Sequence, residues 1–195
     1  MAKGTDAQKL EVPSAESIAA AAQESAKGGL PPVDKWNPPF CGDLDMRIAR
    51  DGTWFYLGTP IGRAGLVKLF SSIIRKDGDD YFLVTPVEKV GIKVDDAPFV
   101  ALDFNVAGEG EGQKLRFETH VGDVFVAGPD HPIRVAYDDN GEPSPYVLVR
   151  RNLEALVDRK SFYRLVDLGV HRDGWFGVWS SGEFFSIIRS DALEG

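Results

Sequence analysis

Apolar residues return at helical spacing most clearly at Leu66, Val67, Phe70, Ile73 and Ile74, with Lys68, Ser71, Ser72 and Arg75 falling opposite. That stripe predicts an amphipathic helix over about 60–75, packed on a sheet. A second helical stripe runs through Leu153, Leu156 and Val157 to Phe162, Leu165 and Val166, with Ser161 as an internal restart and Gly169 as the stop. An alanine-rich stretch over 14–27 predicts a weakly held helix that Ser14 caps and Gly28 and Gly29 end. Short runs rich in β-branched and aromatic residues predict strands at 46–50, 53–57, 81–85, 90–94, 99–106, 114–120, 124–127, 133–136, 146–150, 170–172, 175–179 and 183–188. Thr85 and Glu88 have capping-box spacing, which predicts one helical turn that Gly91 cuts short.

The strands carry an internal repeat. Residues 50–60 read RDGTWFYLGTP and residues 76–86 read KDGDDYFLVTP, with five of eleven positions identical. Each copy instructs a tight Asp-Gly turn, then an aromatic strand, then a Thr-Pro pair suited to a helix start. A weaker third copy, Arg172-Asp-Gly-Trp-Phe176, ends in Ser180-Ser181-Gly182 instead. Together with the return of helix and hairpin at 151–188, the repeat predicts an α+β fold of duplicated helix-plus-antiparallel-hairpin units. The chain divides near residue 95: an N-terminal extension at 1–35, disordered to about 13, then an α+β domain at 36–95 and a more β-rich domain at 96–195 whose antiparallel sheet curls. Residues 30–40 (LPPVDKWNPPF) predict an extended strap anchored by Trp36 and Phe40.

Composition narrows the function classes. A chain of 195 residues that is 43% hydrophobic and 27% charged has enough apolar surface for a sizeable core. Its formal net charge of −8 argues against a nucleic-acid polymer as partner and leaves room for a small anion held by a few arginines. The single cysteine, Cys41, excludes an internal disulfide framework, and no apolar run approaches the roughly 18 residues of a membrane span. With no export signal, the expected compartment is the cytoplasm.

No catalytic motif stands out. The glycine-rich 108–112 lacks the lysine and helix of a phosphate loop and predicts a flexible hairpin tip. His120, Asp123 and His131 would be the ligands if the chain were a metal-dependent, cupin-like enzyme. Asp95 and Asp96 predict a solvated turn. The arginines give a more specific expectation. Arg63, between Gly62 and Gly65 at a helix start, and Arg150 and Arg151, where a strand gives way to the second helical stripe, stand where an anion meets unpaired backbone N–H groups.

The run Trp36-Asn-Pro-Pro-Phe-Cys-Gly42, with Asp51-Gly-Thr-Trp-Phe55, Thr59-Pro-Ile-Gly-Arg63, Leu66-Val-Lys-Leu-Phe70, Thr85-Pro-Val-Glu-Lys89 and Asp96-Ala-Pro-Phe99, resembles domain-of-unknown-function family 1285 of bacteria over about 36–188. The resemblance implies a duplicated α+β core, a C-terminal half similar to pleckstrin-homology-like folds, a nucleotide-like ligand between the halves, and a part in signal transduction with a protein partner. It supplies no activity and no cofactor. On this footing the expectation is a non-catalytic ligand-binding or sensory module in which Arg63, Arg150 and Arg151 meet the anionic group and Trp54 or Trp179 stacks on the base.

Overall fold

The computed structural model describes residues 11–193, and these fall into two compact units, residues 11–47 with 54–93, and residues 48–53 with 94–193. In the first unit α1 (Ala15–Ser25) begins where the Ser14 hydroxyl accepts the Ser17 N–H at 3.2 Å, as the serine before the alanine run predicts. A six-stranded sheet follows: β1 (Phe40–Ile48), β2 (Trp54–Tyr56), β3 (Thr59–Pro60), β4 (Ile74–Asp77), β5 (Asp80–Val84) and β6 (Lys89–Val94), in the order β3-β2-β1-β6-β5-β4, with α2 (Ala64–Ser72) between β3 and β4. Met46, Trp54, Phe70, Ile73, Ile74, Leu83 and Val90 are buried as its core.

Both Thr-Pro pairs depart from the helix-start reading. Thr59 and Pro60 pair antiparallel with Tyr56 and Phe55, so α2 starts only at Ala64. Pro60 sits in an edge strand, where its missing N–H costs no ladder bond. Thr85 forms a turn rather than a helix: its hydroxyl accepts the Glu88 N–H at 3.1 Å, and its own N–H donates to the Glu88 carbonyl at 2.9 Å. This turn joins β5 to β6, and Gly91 lies within β6. The strap is held differently from its prediction. Phe40 is 51% exposed, whereas Val33 is fully buried, and Arg75 donates to the carbonyls of Val33 and Trp36 at 3.1 and 2.7 Å.

The second unit carries β7 (Phe99–Ala107), β8 (Lys114–Thr119), β9 (Val124–Val126), β10 (Ile133–Tyr137), β11 (Pro143–Arg150) and β12 (Leu153–Val157), ordered β10-β11-β12-β7-β8-β9. After it come α3 (Arg159–Asp167) and a three-stranded antiparallel sheet of β13 (Val170–Arg172), β14 (Trp175–Ser180) and β15 (Glu183–Arg189). Two expectations fail here. Leu153 to Val157 is a strand whose alternate residues Leu153, Ala155 and Val157 are buried, and the helix begins later, at Arg159, with Asp158 accepting the Ser161 N–H at 2.8 Å. The sheet is also not wholly antiparallel, because β12 pairs with β7 in parallel. The glycine-rich tip at 108–112 is tied down, its Glu111 carbonyl accepting the Gly182 N–H at 3.1 Å.

The fold is α+β and duplicated. Each six-stranded sheet is two runs of three consecutive strands, joined by pairing the first strand of the first run with the last strand of the second. The repeat of 50–60 at 76–86 therefore marks the two halves of the first sheet, one level below the duplication of sheets. Each copy spans one turn and the aromatic strand after it, β2 in the first and β5 in the second. No helix among the described residues is long and apolar enough to cross a membrane.

Candidate functional site

Of the five residues expected to meet a ligand, Arg63, Arg150, Arg151, Trp54 and Trp179, only Arg63 is exposed. It is exposed at the N-cap position of α2, in extended backbone with φ −91° and ψ 103°. Among the described residues no side chain caps α2, and its first turn has no acidic residue, so the leading N–H groups present partial positive charge beside the guanidinium. The other two helices are closed by Ser14 and Asp158.

Trp54 belongs to the core and not to a ligand surface. It is 1% exposed, and its ring stacks on Phe70 with centroids 6.1 Å apart and planes at 18°. Trp179 is 8% exposed, with the Arg172 guanidinium 4.5 Å above its ring and Phe184 edge-on at 5.4 Å, so its faces are also taken. Arg150 is committed too: Nη1 bonds Asp123 Oδ1 at 2.6 Å and the guanidinium lies 4.7 Å over Phe99. Arg151 is half-buried in the turn between β11 and β12, in left-handed backbone at φ 51°.

His120, Asp123 and His131 do not assemble as metal ligands, and no group of three or more His, Cys, Asp or Glu residues does so among the described residues. His120 Nδ1 accepts the Val100 N–H at 3.1 Å, which puts the neutral ring's proton on Nε2, on the side of Gly52. Burial holds its pKa below the ordinary 6.5 against the opposing pull of the Val100 contact, Asp123 and Asp51. His131 Nδ1 donates to the Leu148 carbonyl at 2.9 Å, with its ring stacked on Phe125 at 4.8 Å.

Sequence reading missed a groove of about 610 Å³ in the second unit. Pro145, Leu156 and Phe162 give it an apolar floor, Tyr163 a wall, and Arg50, Asp138, Glu142, Asp158 and Arg159 a charged rim. Arg50 bonds Asp96 at 3.0 Å and the Ser144 hydroxyl at 2.9 Å. Asp96, expected in a solvated turn, also accepts the Tyr146 hydroxyl proton at 2.6 Å. Burial, reinforced by that carboxylate, pushes Tyr146 up to about 12, so it stays protonated at neutral pH. Arg50 and Ser144 stand 94 residues apart in the chain, and no periodic pattern or local motif brings such positions together.

The first part of the chain, residues 31–97, matches the family model of the N-terminal domain of a domain of unknown function, DUF1285, and residues 98–187 match its C-terminal domain. Among solved structures, a DUF1285 family protein from Silicibacter pomeroyi is 62% identical with a TM-score of 0.85, covering 91% of this chain and 98% of that one. A DUF1285 family protein from Shewanella baltica is 32% identical with a TM-score of 0.50, covering 64% of this chain and 91% of that one. No curated protein matches the chain.

Proposed function

The chain belongs to the DUF1285 family, and from that premise we propose that it is a non-catalytic, cytoplasmic module of bacterial signal transduction that binds a small anionic, nucleotide-like ligand. The observation that carries the reading is the start of α2, where an exposed Arg63 stands beside backbone N–H groups that no side chain of the described residues caps. A phosphate there would meet both a guanidinium and the positive end of a helix. A binding role rather than a catalytic one is supported by how the titratable groups are engaged. Asp123 is held by Arg150, Asp96 by Arg50 and Tyr146, and Asp158 by the first turn of α3.

The test is a thermal-shift screen of mono-, di- and cyclic nucleotides, with inorganic phosphate alongside, on wild type, Arg63→Ala and Arg150→Ala. A ligand at about one hundred times its Kd stabilises the fold by roughly 2.7 kcal/mol, a shift on the order of 5–10 °C for a chain this size. Loss of the Arg63 contact should raise the ligand concentration needed for that shift about tenfold or more. Arg150→Ala should lower the melting temperature of the free protein, because Asp123 loses its partner, while leaving the ligand-induced increment unchanged. If no nucleotide shifts the wild type, the nucleotide reading fails. A nucleotide that shifts wild type and Arg63→Ala equally would remove the ligand from α2.

A further inference from the structure

We infer that the groove of the second unit is a separate site for an organic cation, an amine or guanidinium carried on an apolar body. This goes beyond the anion reading and rests on different residues. The cavity of about 610 Å³ is within the size range of small-molecule sites and has the mixed lining such sites use, an apolar floor with a few charged groups at the rim.

The sign of the charge follows from what is already matched. Arg50 is balanced by Asp96, which lies 3.0 Å away. Three rim carboxylates, Asp138, Glu142 and Asp158, then stand against Arg159. Asp158 spends one oxygen on the Ser161 N–H, and Asp138 spends one on the N–H groups of Asn140 and Glu142. Glu142 is exposed and has no ion-pair partner among the described residues. The groove therefore carries excess negative charge beside apolar surface.

Aromatic geometry points the same way. In this unit Phe99, Phe104, Tyr146, Trp175 and Trp179 each have an arginine of the same unit between 4.4 and 5.1 Å from the ring centroid. Tyr163, 58% exposed on the groove wall, has none among the described residues. A ligand cation over that ring gains the attraction the others obtain from within the chain, and the nearby carboxylates supply the counter-charge.

The experiment is isothermal titration calorimetry at low ionic strength on the intact protein. Tyramine represents a free amine, a blocked arginine amide represents a side chain on a peptide, and 4-hydroxyphenylacetate is the anionic counterpart of tyramine. Expected is binding of at least one cation and none of the anion, weakening as salt is added. The tighter of the two cations identifies the source. Glu142→Gln and Tyr163→Ala should each weaken binding about fivefold, Arg159→Glu should tighten it by a similar factor, and Arg63→Ala should leave it unchanged. Glu142 and Tyr163 are surface residues, and circular dichroism of each variant confirms the fold before titration. Failure of both cations, preference for the anion, or binding by Glu142→Gln and Tyr163→Ala as tight as that of the wild type overturns the inference.

Discussion

Gly91 and Gly177 both lie within strands and both lack room for a methyl group, but what each would strike differs in kind. A Cβ on Gly91 comes 2.1 Å from Asp43 Oδ1, the tip of an exposed side chain that can swing into water. A Cβ on Gly177 comes 2.3 Å from the Phe185 carbonyl oxygen and 2.9 Å from Ser186 Cα, both backbone atoms of the β14–β15 ladder. Gly177→Ala should therefore cost about 1–3 kcal/mol, with Gly91→Ala under about 1 kcal/mol, since only the former forces backbone to move. Urea unfolding of the two variants checks this, and equal midpoints would contradict it. The sequence marks both only as glycines in strands, because the backbone atoms that crowd Gly177 belong to Phe185 and Ser186 of the neighbouring strand, whose pairing no local pattern reveals. Trp54 and Trp179 teach the same lesson. Aromatic identity is visible in the sequence, but whether a ring face is open depends on Phe70 and Arg172, which arrive from elsewhere in the chain.

At the scale of elements, turns were the most legible feature. Asp51-Gly52, Asp77-Gly78 and Asp173-Gly174 all reverse the chain, with φ of 89°, 62° and 81° at the glycines, as the local chemistry of the pair requires. The helical stripes were less secure. Leu153, Leu156 and Val157 fit both periods over so short a span, and pairing with β7 and β11 decided for a strand. A Thr-Pro pair does not by itself distinguish a helix start from a strand, because proline satisfies an edge strand as readily as a first helical turn. One turn runs against its own chemistry. Leu57, at φ 50° and 65% exposed, precedes Gly58 in the reversal between β2 and β3. A leucine in left-handed backbone costs about 1 kcal/mol, and asparagine tolerates that region. Leu57→Asn should thus stabilise the protein by about 0.5–1 kcal/mol, raising its melting temperature by roughly 1–4 °C. A lower melting temperature would show that the exposed leucine contributes packing that offsets its strain.

Duplication of the sheet is the feature of the whole molecule that the sequence disclosed only indirectly, since its clearest repeat marks half-sheets. His120 is held neutral by burial, with its pKa below 6.5 in the fold, so below about pH 6.5 the unfolded chain binds a proton the folded one resists. Its contribution is complete above that pH and is lost as pH falls from 6.5 toward the lowered folded value. Melting temperature should accordingly drop between pH 7.5 and 5.5. His120→Asn, which can still accept the Val100 N–H, should show a smaller drop. An unchanged drop would assign the acid sensitivity to other groups.

Residues 48–53 lie in the sequence of the N-terminal domain yet belong to the second unit. Gly52 is packed against His120, Arg50 bonds Ser144, and Asp96 bonds Tyr146, so each pair has one member on either side of the family's boundary at 97 and 98. A gene crossover at that boundary would join an N-terminal domain to a C-terminal domain whose matching partners had evolved in another lineage. The two domains are therefore expected to be inherited together and to resist shuffling with other modules, as a cut between them in the gene is not a cut between them in space.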